Sequence, residues 1–362
     1  MVGAVAACSP SRAGGAVPPS ALPASAAPVA AATSTAGVPS AAALPVLVPF
    51  ATVKVGPRAG QVLIDPRSHV AYVINANDAD NVVVSGGVTS HSSSTRPGSV
   101  SVINPRSHRV VASIPLPPQV GGAALDPGTH QLWAATYWKS TVTVIDTRTN
   151  RVSATLHMRG FGPSAVTVDP STHTVYVSDR FAGVYAIDGR THKLLATIHI
   201  PEADALAVDA TRHRLYVTDG GIGHLLTLDT RTNKVVSRTT IGTNAGPITL
   251  STGGDVVYVE DGGSFGKAAT PPWIVIVNAR TGRVSARVQL AFLAELALDP
   301  RTRTLYVRVY GSTELLALKG ARLQPVATLP EPRATFPGSL TFNGNTGNLY
   351  ATDNDSLKLF RP

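Results

Sequence analysis

One short phrase recurs along this chain, and its spacing constrains the fold more than any other feature. In one copy it reads Arg214-Leu-Tyr-Val-Thr-Asp219. Its aromatic residue returns about every 42 residues, a period typical of repeat architectures built from small supersecondary units. The seven copies place that aromatic at Tyr72, Trp133, Tyr176, Tyr216, Tyr258, Tyr306 and Tyr350.

Each unit contains four short strand patterns separated by turn residues. In the fourth unit they cover 205–209, 215–218, 225–228 and 235–241. Four strands in about 42 residues leave no room for a crossover helix, so each unit is predicted to be an antiparallel meander. Seven such units predict an all-β domain, a seven-bladed β-propeller of four-stranded antiparallel blades.

The ends of the repeat array predict how the ring closes. The seventh unit stops after its third strand, at Leu357–Phe360, and lacks the Ala-Thr phrase that marks the outermost strand of other units. The missing phrase stands before the first unit, within Pro49–Val55. We therefore expect an N-terminal strand to complete the last blade.

The repeat phrases resemble a known family. The phrase at Leu215–Asp219, the Asp-Pro-x-Thr-His turn at 169–173 and the hairpin sequence at 229–235 are similar to the YVTN-type repeats of YncE-like bacterial surface propellers. The resemblance covers residues 46–362. It implies a seven-bladed extracytoplasmic propeller that acts as a binding or scaffolding module, and it supplies no catalytic motif.

The N-terminal segment predicts a tether. Residues 1–8 end in Cys8, the single cysteine, and the preceding Val5-Ala6-Ala7 resembles a bacterial lipobox at the end of a signal peptide. Only seven residues precede Cys8 and none is basic, so either the true start lies upstream or the match is chance. Residues 9–45 are rich in Ala, Pro and Ser, which predicts a disordered linker before the propeller at 46–362. The sequence therefore predicts an extracytoplasmic lipoprotein that is held at the cell surface by a lipid anchor and has no membrane-spanning helix.

The charge is distributed unevenly over the predicted propeller. More than half of the 31 basic residues fall in the first and third turns of the blades, which share one face, whereas most acidic residues fall on the opposite face. The basic residues are either soluble turn residues paired with repeated aspartates or a surface for an anionic envelope component. Nucleic acid is disfavoured because these turns lack interleaved aromatics. The chain is expected to be a monomer.

One ring position raises the question of a metal site. The residue three after each repeated aromatic is a carboxylate in four blades, and converging oxygens suit Ca²⁺. The structural alternative is that each aspartate starts its own middle turn by accepting backbone N–H groups. No organic cofactor is predicted. The four candidate ligands are Asp179, Asp219, Asp261 and Asp353.

The functional prediction is a binding or scaffold module for a cell-envelope partner, protein or anionic. The alternative is a metal-dependent hydrolase or lyase, similar to lactonases, that uses the acidic face. His224, beside Asp219, is the best lone candidate for acid–base chemistry. Common catalytic motifs of hydrolases and zinc proteases are absent from the sequence, which favours the binding module.

Overall fold

A computed structural model describes residues 48–77, 83–84, 88–89, 96–251, 253–264, 270–309, 312, 314–320, 323–330 and 338–361. All of them belong to one compact unit, Ser40–Pro362. Cys8 and the predicted linker at 9–45 lie outside the described residues. No helix long and apolar enough to cross a membrane occurs in the part of the chain that is described.

The described strands form seven four-stranded antiparallel sheets, which confirms the predicted propeller. Five blades use four consecutive strands, and in the first blade a two-stranded hairpin, β4 and β5, is inserted between the second and third strands. The strands of blades 1 to 3 are β2 Ala59–Ile64, β3 Ala71–Asn75, β4 Val83–Val84, β5 Val88–Thr89, β6 Gly98–Asn104, β7 Arg109–Leu116; β8 Val120–Asp126, β9 Gln131–Thr136, β10 Thr141–Asp146, β11 Arg151–His157; β12 Pro163–Asp169, β13 Thr174–Asp179, β14 Gly183–Asp188 and β15 Leu194–Ile198.

The remaining blades repeat the same meander. Their strands are β16 Ala203–Asp209, β17 Arg214–Asp219, β18 His224–Asp229, β19 Lys234–Thr240; β20 Ala245–Leu250, β21 Val256–Asp261, β22 Trp273–Asn278, β23 Arg283–Gln289; β24 Ala294–Asp299, β25 Thr304–Val309, β26 Glu314–Lys319, β27 Gln324–Pro330; and β28 Leu340–Phe342, β29 Leu349–Asp353, β30 Ser356–Arg361, with β1 Val48–Lys54 as the fourth strand of blade 7.

Burial within a blade depends on the position of the strand. The second and third strands are packed between neighbouring blades, and β9 and β10 are buried along most of their length. The outermost strand alternates between exposed and half-buried residues, as β11 does. The repeated aromatic of the second strand is buried in all seven blades, so this residue is part of the interblade core.

Ring closure follows the sequence prediction. β1 pairs antiparallel with β30, and Val53 lies opposite Leu357. Val53 and Val55 pack in one buried cluster with Leu357, Leu359 and Tyr350. The first and last segments of the propeller therefore share a sheet, which confirms the predicted closing strand.

The turns between the first and second strands explain the repeated aspartates and histidines. Asp126 Oδ1 accepts the Gly128 N–H at 2.8 Å, and Asp169 Oδ1 accepts the Ser171 N–H at 2.9 Å. The last turn residue adopts left-handed backbone, with φ 57° at both His130 and His173. Histidine and asparagine tolerate this conformation better than most side chains. Turn geometry therefore accounts for the repeated histidines.

Arg303 occupies the same left-handed position in blade 6, with φ 55°, and its side chain is exposed. Left-handed backbone costs a non-glycine residue about 1 to 2 kcal/mol, of which glycine's greater chain entropy offsets part. We expect Arg303→Gly to raise the free energy of unfolding by about 0.5 to 1 kcal/mol in urea titrations. Gly282→Ala is the reverse test, because Gly282 has φ 66° and an added β-carbon would approach Ser237 Oγ. An unchanged stability of Gly282→Ala would contradict the explanation.

Candidate functional site

The first and third turns of each blade form one face, here called the basic face, and three arginines of this face in blade 4 are paired with aspartates. Arg212 Nη1 lies 3.0 Å from Asp209 Oδ2. Asp229 Oδ2 lies 2.8 Å from Arg214 Nη1 and 3.0 Å from Arg231 Nη2. Hydrogen bonds from the side chain and backbone of Arg231, joined by Arg214, hold the pKa of Asp229 well below its usual range. These pairs support the interpretation of these three arginines as turn residues.

The four predicted metal ligands lie at the ends of the second strands, and each has local partners. Asp179 Oδ1 accepts the N–H groups of Phe181 and Ala182, both at 2.9 Å. Asp261 Oδ1 accepts the Gly263 N–H at 3.2 Å, and Asp353 Oδ2 accepts a hydrogen bond from Lys358 Nζ at 3.2 Å. Asp179 and Asp261 therefore accept N–H groups of their own turns, as the structural alternative expected, whereas Asp353 pairs with a side chain of the next strand.

Asp219 and His224 are in contact, as their sequence positions predicted. Asp219 Oδ1 accepts the His224 N–H at 2.7 Å, and Asp219 Oδ2 lies 3.1 Å from His224 Nδ1. This pair joins the end of β17 to the start of β18 across the middle turn. Among the described residues, no group of three or more His, Cys, Asp or Glu side chains is arranged to hold a metal ion. Binding of Ca²⁺ by the four aspartates stays a prediction.

The opposite face carries a cluster of aromatic side chains, here called the aromatic patch: Tyr137, Trp138, Phe161 and Phe181. Trp138, Phe161 and Phe181 are 41%, 44% and 62% exposed. The ring centroids of Trp138 and Phe161 are 5.1 Å apart, and those of Phe161 and Phe181 are 6.2 Å apart. Tyr137 lies edge-on to Trp138 at 5.5 Å. The patch is therefore one contiguous apolar surface built from three separate loops.

Local backbone features hold these loops together. The Asp179 carboxylate shapes the turn that presents Phe181. Gly160 packs so closely on that carboxylate that a β-carbon would collide with it, and its N–H donates to Tyr185 Oη at 2.7 Å. Gly162 has φ 124° and lies against the Tyr137 ring. Two glycines thus allow the loop bearing Phe161 to settle between its neighbours.

Arg180 connects the aromatic patch with the segment that leads into the first strand of blade 4. Its Nη2 lies 3.5 Å from Glu202 Oε2, and the Arg180 carbonyl accepts the Glu202 N–H at 3.1 Å. Asp204, two residues further on, is partly buried, and desolvation raises the pKa of its carboxyl although Arg180 opposes the shift. A carboxyl whose pKa is raised by desolvation is a candidate functional group.

The raised pKa of Asp204 gives a stability prediction with a definite sign. The folded state holds this proton to a higher pH than the unfolded chain does, so stability falls as pH rises above the ordinary carboxyl pKa. Asp204→Asn is therefore expected to raise the melting temperature at about pH 7 and to leave it nearly unchanged at about pH 3.

Asp188→Asn is the control of opposite sign. Hydrogen bonds from the Thr191 backbone and side chain lower the pKa of Asp188, so its ionised form favours the folded state. This substitution should lower the melting temperature at about pH 7 and have less effect at about pH 3. An equal gain for Asp204→Asn at both pH values would show that charge is not the cause.

The first strands of several blades line a cavity in the central channel. Its volume is about 410 Å³, and Gln61, Leu63, Val166 and Leu206 are among the lining residues. The cavity contains none of the four aspartates predicted as ligands.

Sequence reasoning missed the aromatic patch, although a signal was present. Aromatics occupy middle turns at Tyr137, Trp138 and Phe181, where the equivalent turn of blade 4 contains Gly220 and Gly221. Comparing these turns blade by blade would have identified three of the four rings. Phe161 lies in a connection between blades, so only the three-dimensional structure shows that its side chain packs with the other aromatic residues.

Comparisons with known proteins agree with the repeat phrases. The chain is 26% identical over 249 residues to YncE of Salmonella typhimurium, covering 64% of this chain and 68% of that protein. YncE of Escherichia coli K12 gives the same identity and coverage. Both relatives are described as uncharacterized. No family model matches the chain.

Solved structures agree on the fold alone. Hydrazine synthase of Kuenenia stuttgartiensis matches with a TM-score of 0.69 at 17% identity, covering 84% of this chain and 96% of that chain. The Cps50 (Swd1) β-propeller domain of Myceliophteria thermophila matches with a TM-score of 0.68 at 12% identity, covering 87% and 99%. With its YncE homologues and its seven four-stranded blades, the chain fits a YncE-like family of β-propellers.

Proposed function

We propose that this protein is an extracytoplasmic, membrane-tethered propeller that binds a cell-envelope partner through the aromatic patch. The observation that carries the proposal is that the side chains of Trp138, Phe161 and Phe181 are exposed and, through Phe161, in contact with one another on the propeller surface. Large contiguous apolar patches on soluble proteins often mark interaction sites. Large aromatic side chains also contribute most per residue when an interface is buried.

The rest of the fold supports a scaffold for this surface. The three loops of the patch are anchored in β9 to β14, whose inner strands are buried between blades. Loops held by a rigid scaffold lose little conformational entropy on binding. A preformed aromatic patch on such loops therefore suits a binding module.

The proposed tether is lipidation of Cys8 followed by the spacer at 9–45. The supporting observations are the lipobox-like Val5-Ala6-Ala7 and the composition of the spacer. Metabolic labelling with a palmitate analogue in a bacterial host is the direct test. Wild-type protein should carry the label and sediment with membranes, whereas Cys8→Ser should do neither; labelling of Cys8→Ser would refute the assignment.

Quantitative capture from a detergent-solubilised envelope extract tests the binding proposal. Immobilised wild type is compared with Phe161→Ala/Phe181→Ala, and the control is Leu194→Ala/Leu195→Ala, which removes side chains 52% and 58% exposed on β15 of the same blade. We expect the retained material to fall at least about tenfold for the first variant only, equivalent to about 1.4 kcal/mol of binding free energy. Equal retention by all three proteins would reject the patch as the binding surface.

A hydrolase or lyase is the second candidate, and the raised pKa of Asp204 beside Arg180 is the observation that favours it. A metal-dependent hydrolase or lyase would need an ion bound by the four candidate aspartates, so calorimetric titration with Ca²⁺ is the decisive test. Heat of binding that is lost in Asp219→Ala would support the ion site. Because Asp219 also holds His224, a melting curve must first show that the variant is folded. Absence of heat in the wild type would remove the metal-dependent mechanism.

A further inference from the structure

The aromatic patch is flanked by positive charge. Lys139 follows Trp138 in the middle turn of blade 2, Arg159 precedes the Phe161 loop, and both side chains are exposed. Arg180 precedes Phe181 in the middle turn of blade 3. Each of the three aromatic loops therefore has one cation within two residues of its aromatic side chain.

We propose that the aromatic patch docks the propeller onto an anionic lipid bilayer, with the rings inserted at the interface and Lys139 and Arg159 contacting headgroups. This inference rests on the proposed function and names its partner. Trp and Tyr favour the membrane interface because their rings are apolar and their polar atoms remain hydrated. Basic side chains beside them add attraction to anionic lipid.

The charges around the patch agree with an anionic partner. Arg180 is paired with Glu202 at 3.5 Å, so these two side chains largely cancel. Asp179 is buried, and its Oδ1 is engaged by the turn of Phe181. The exposed charge at the patch is therefore that of Lys139 and Arg159, and the whole chain has a net charge of +9.

The arrangement of the rings favours a fluid surface over single-stranded nucleic acid. Base stacking uses open aromatic faces on which successive bases lie. Here the Trp138 and Phe161 rings are inclined at 70°, and the Tyr137 and Trp138 rings at 79°, so in each pair the edge of one ring meets the face of the other. A bilayer interface makes no such demand, because burial of apolar area there is non-directional.

The position of the rings also favours a bilayer over a folded protein. They project from the middle turns of blades 2 and 3 and the loop between them, and Ile222, 55% exposed, occupies the equivalent turn of blade 4. A stable protein interface requires a complementary surface of about 800 Å² per partner. Side chains at the tips of adjacent loops can enter a lipid interface with no matching shape.

Vesicle binding by the full-length chain tests the inference. The protein carries Cys8→Ser so that no lipid anchor contributes, and the vesicles contain either phosphatidylcholine alone or equal parts of phosphatidylcholine and phosphatidylglycerol. We expect sedimentation with the anionic vesicles at low salt, and at least about tenfold weaker binding for Phe161→Ala/Phe181→Ala. Lys139→Glu/Arg159→Glu should weaken binding similarly, whereas Leu194→Ala/Leu195→Ala should bind as the Cys8→Ser protein does.

Fluorescence identifies which face touches the bilayer, because the basic face could adsorb by charge alone. Trp138 emission should shift to shorter wavelength on anionic vesicles and be quenched by brominated lipid, and Trp138→Phe should remove that response. Arg148→Ala/Arg190→Ala/Arg280→Ala changes three turn cations of the basic face and should leave the quenching in place. Vesicle binding without Trp138 quenching would overturn the inference.

A second set of outcomes separates this inference from the proposed function. Absence of vesicle binding, with envelope capture still lost in Phe161→Ala/Phe181→Ala, would overturn lipid docking and leave the binding module intact. Patch-dependent binding of a fluorescent oligothymidylate, stronger than vesicle binding, would overturn lipid docking in favour of nucleic acid. Glycerol phosphate that competes as well as vesicles would show recognition of a free anion and equally overturn docking to a bilayer.

Discussion

Deletion of residues 46–55 is expected to abolish the cooperative unfolding transition of the propeller or to convert the monomer into oligomers. These residues include β1, which forms the fourth strand of blade 7. Its loss exposes the edge of β30 and uncovers the cluster around Leu357 and Leu359. The expected loss is at least about 5 kcal/mol, comparable with the whole stability of a typical domain. An exposed edge strand also pairs readily with a second copy.

Calorimetry and light scattering measure this result, and deletion of residues 9–45 provides the matched control. The control removes more of the chain but leaves β1 in place, so we expect the wild-type melting temperature and monomeric mass. A monomeric 46–55 deletion with unchanged thermal stability would show that the ring does not depend on its closing strand.

Trp133→Ala is expected to lower the free energy of unfolding by about 3 to 5 kcal/mol. Trp133 is fully buried in β9, and its ring meets the His192 ring edge-on with centroids 5.2 Å apart. It packs with Val142, Val144 and Val175, so the truncation leaves a cavity between blades 2 and 3. Chemical denaturation monitored by circular dichroism gives the difference.

Trp138→Ala is the control for this prediction, since it removes the same side chain five residues further along. Trp138 is 41% exposed, so we expect a change within about 1 kcal/mol. The two variants should also separate by function, because only Trp138 belongs to the aromatic patch. Equal destabilisation by both would contradict the assignment of Trp133 to the core and Trp138 to the surface.

The fold was predictable from sequence because each of its determinants is local and repeated. The buried aromatic of the second strand, the Asp-Pro turns and the meander pattern recur in several units. A strand or turn that is ambiguous in one unit can therefore be assigned from the equivalent residues of the others. Ring closure was also accessible, since the phrase missing after Leu357–Phe360 appears at Pro49–Val55. Comparison of the repeats also predicted that Asp219 starts a middle turn, as the equivalent residues of other blades do.

The candidate site was less accessible because it depends on differences between blades. The repeated carboxylates predicted a metal site because they recur at equivalent positions. In the structure they accept hydrogen bonds within turns and hairpins, as Asp179 does from the Phe181 N–H. The pKa of Asp204 is raised by desolvation at this one position, although Arg180 opposes the shift. Such features depend on the packing around single residues. A pattern that all repeats share does not predict them.

The sequence by itself determined the number of blades, the order of strands and the identity of the closing strand, since these follow from periodicity and turn chemistry within short segments. Only the tertiary structure decided which exposed residues form a surface. Tyr137, Phe161 and Phe181 are separated along the chain and meet because adjacent blades bring their loops to one face. Local sequence dictates backbone pairing, whereas a binding surface is created by contacts between segments that the sequence does not place together.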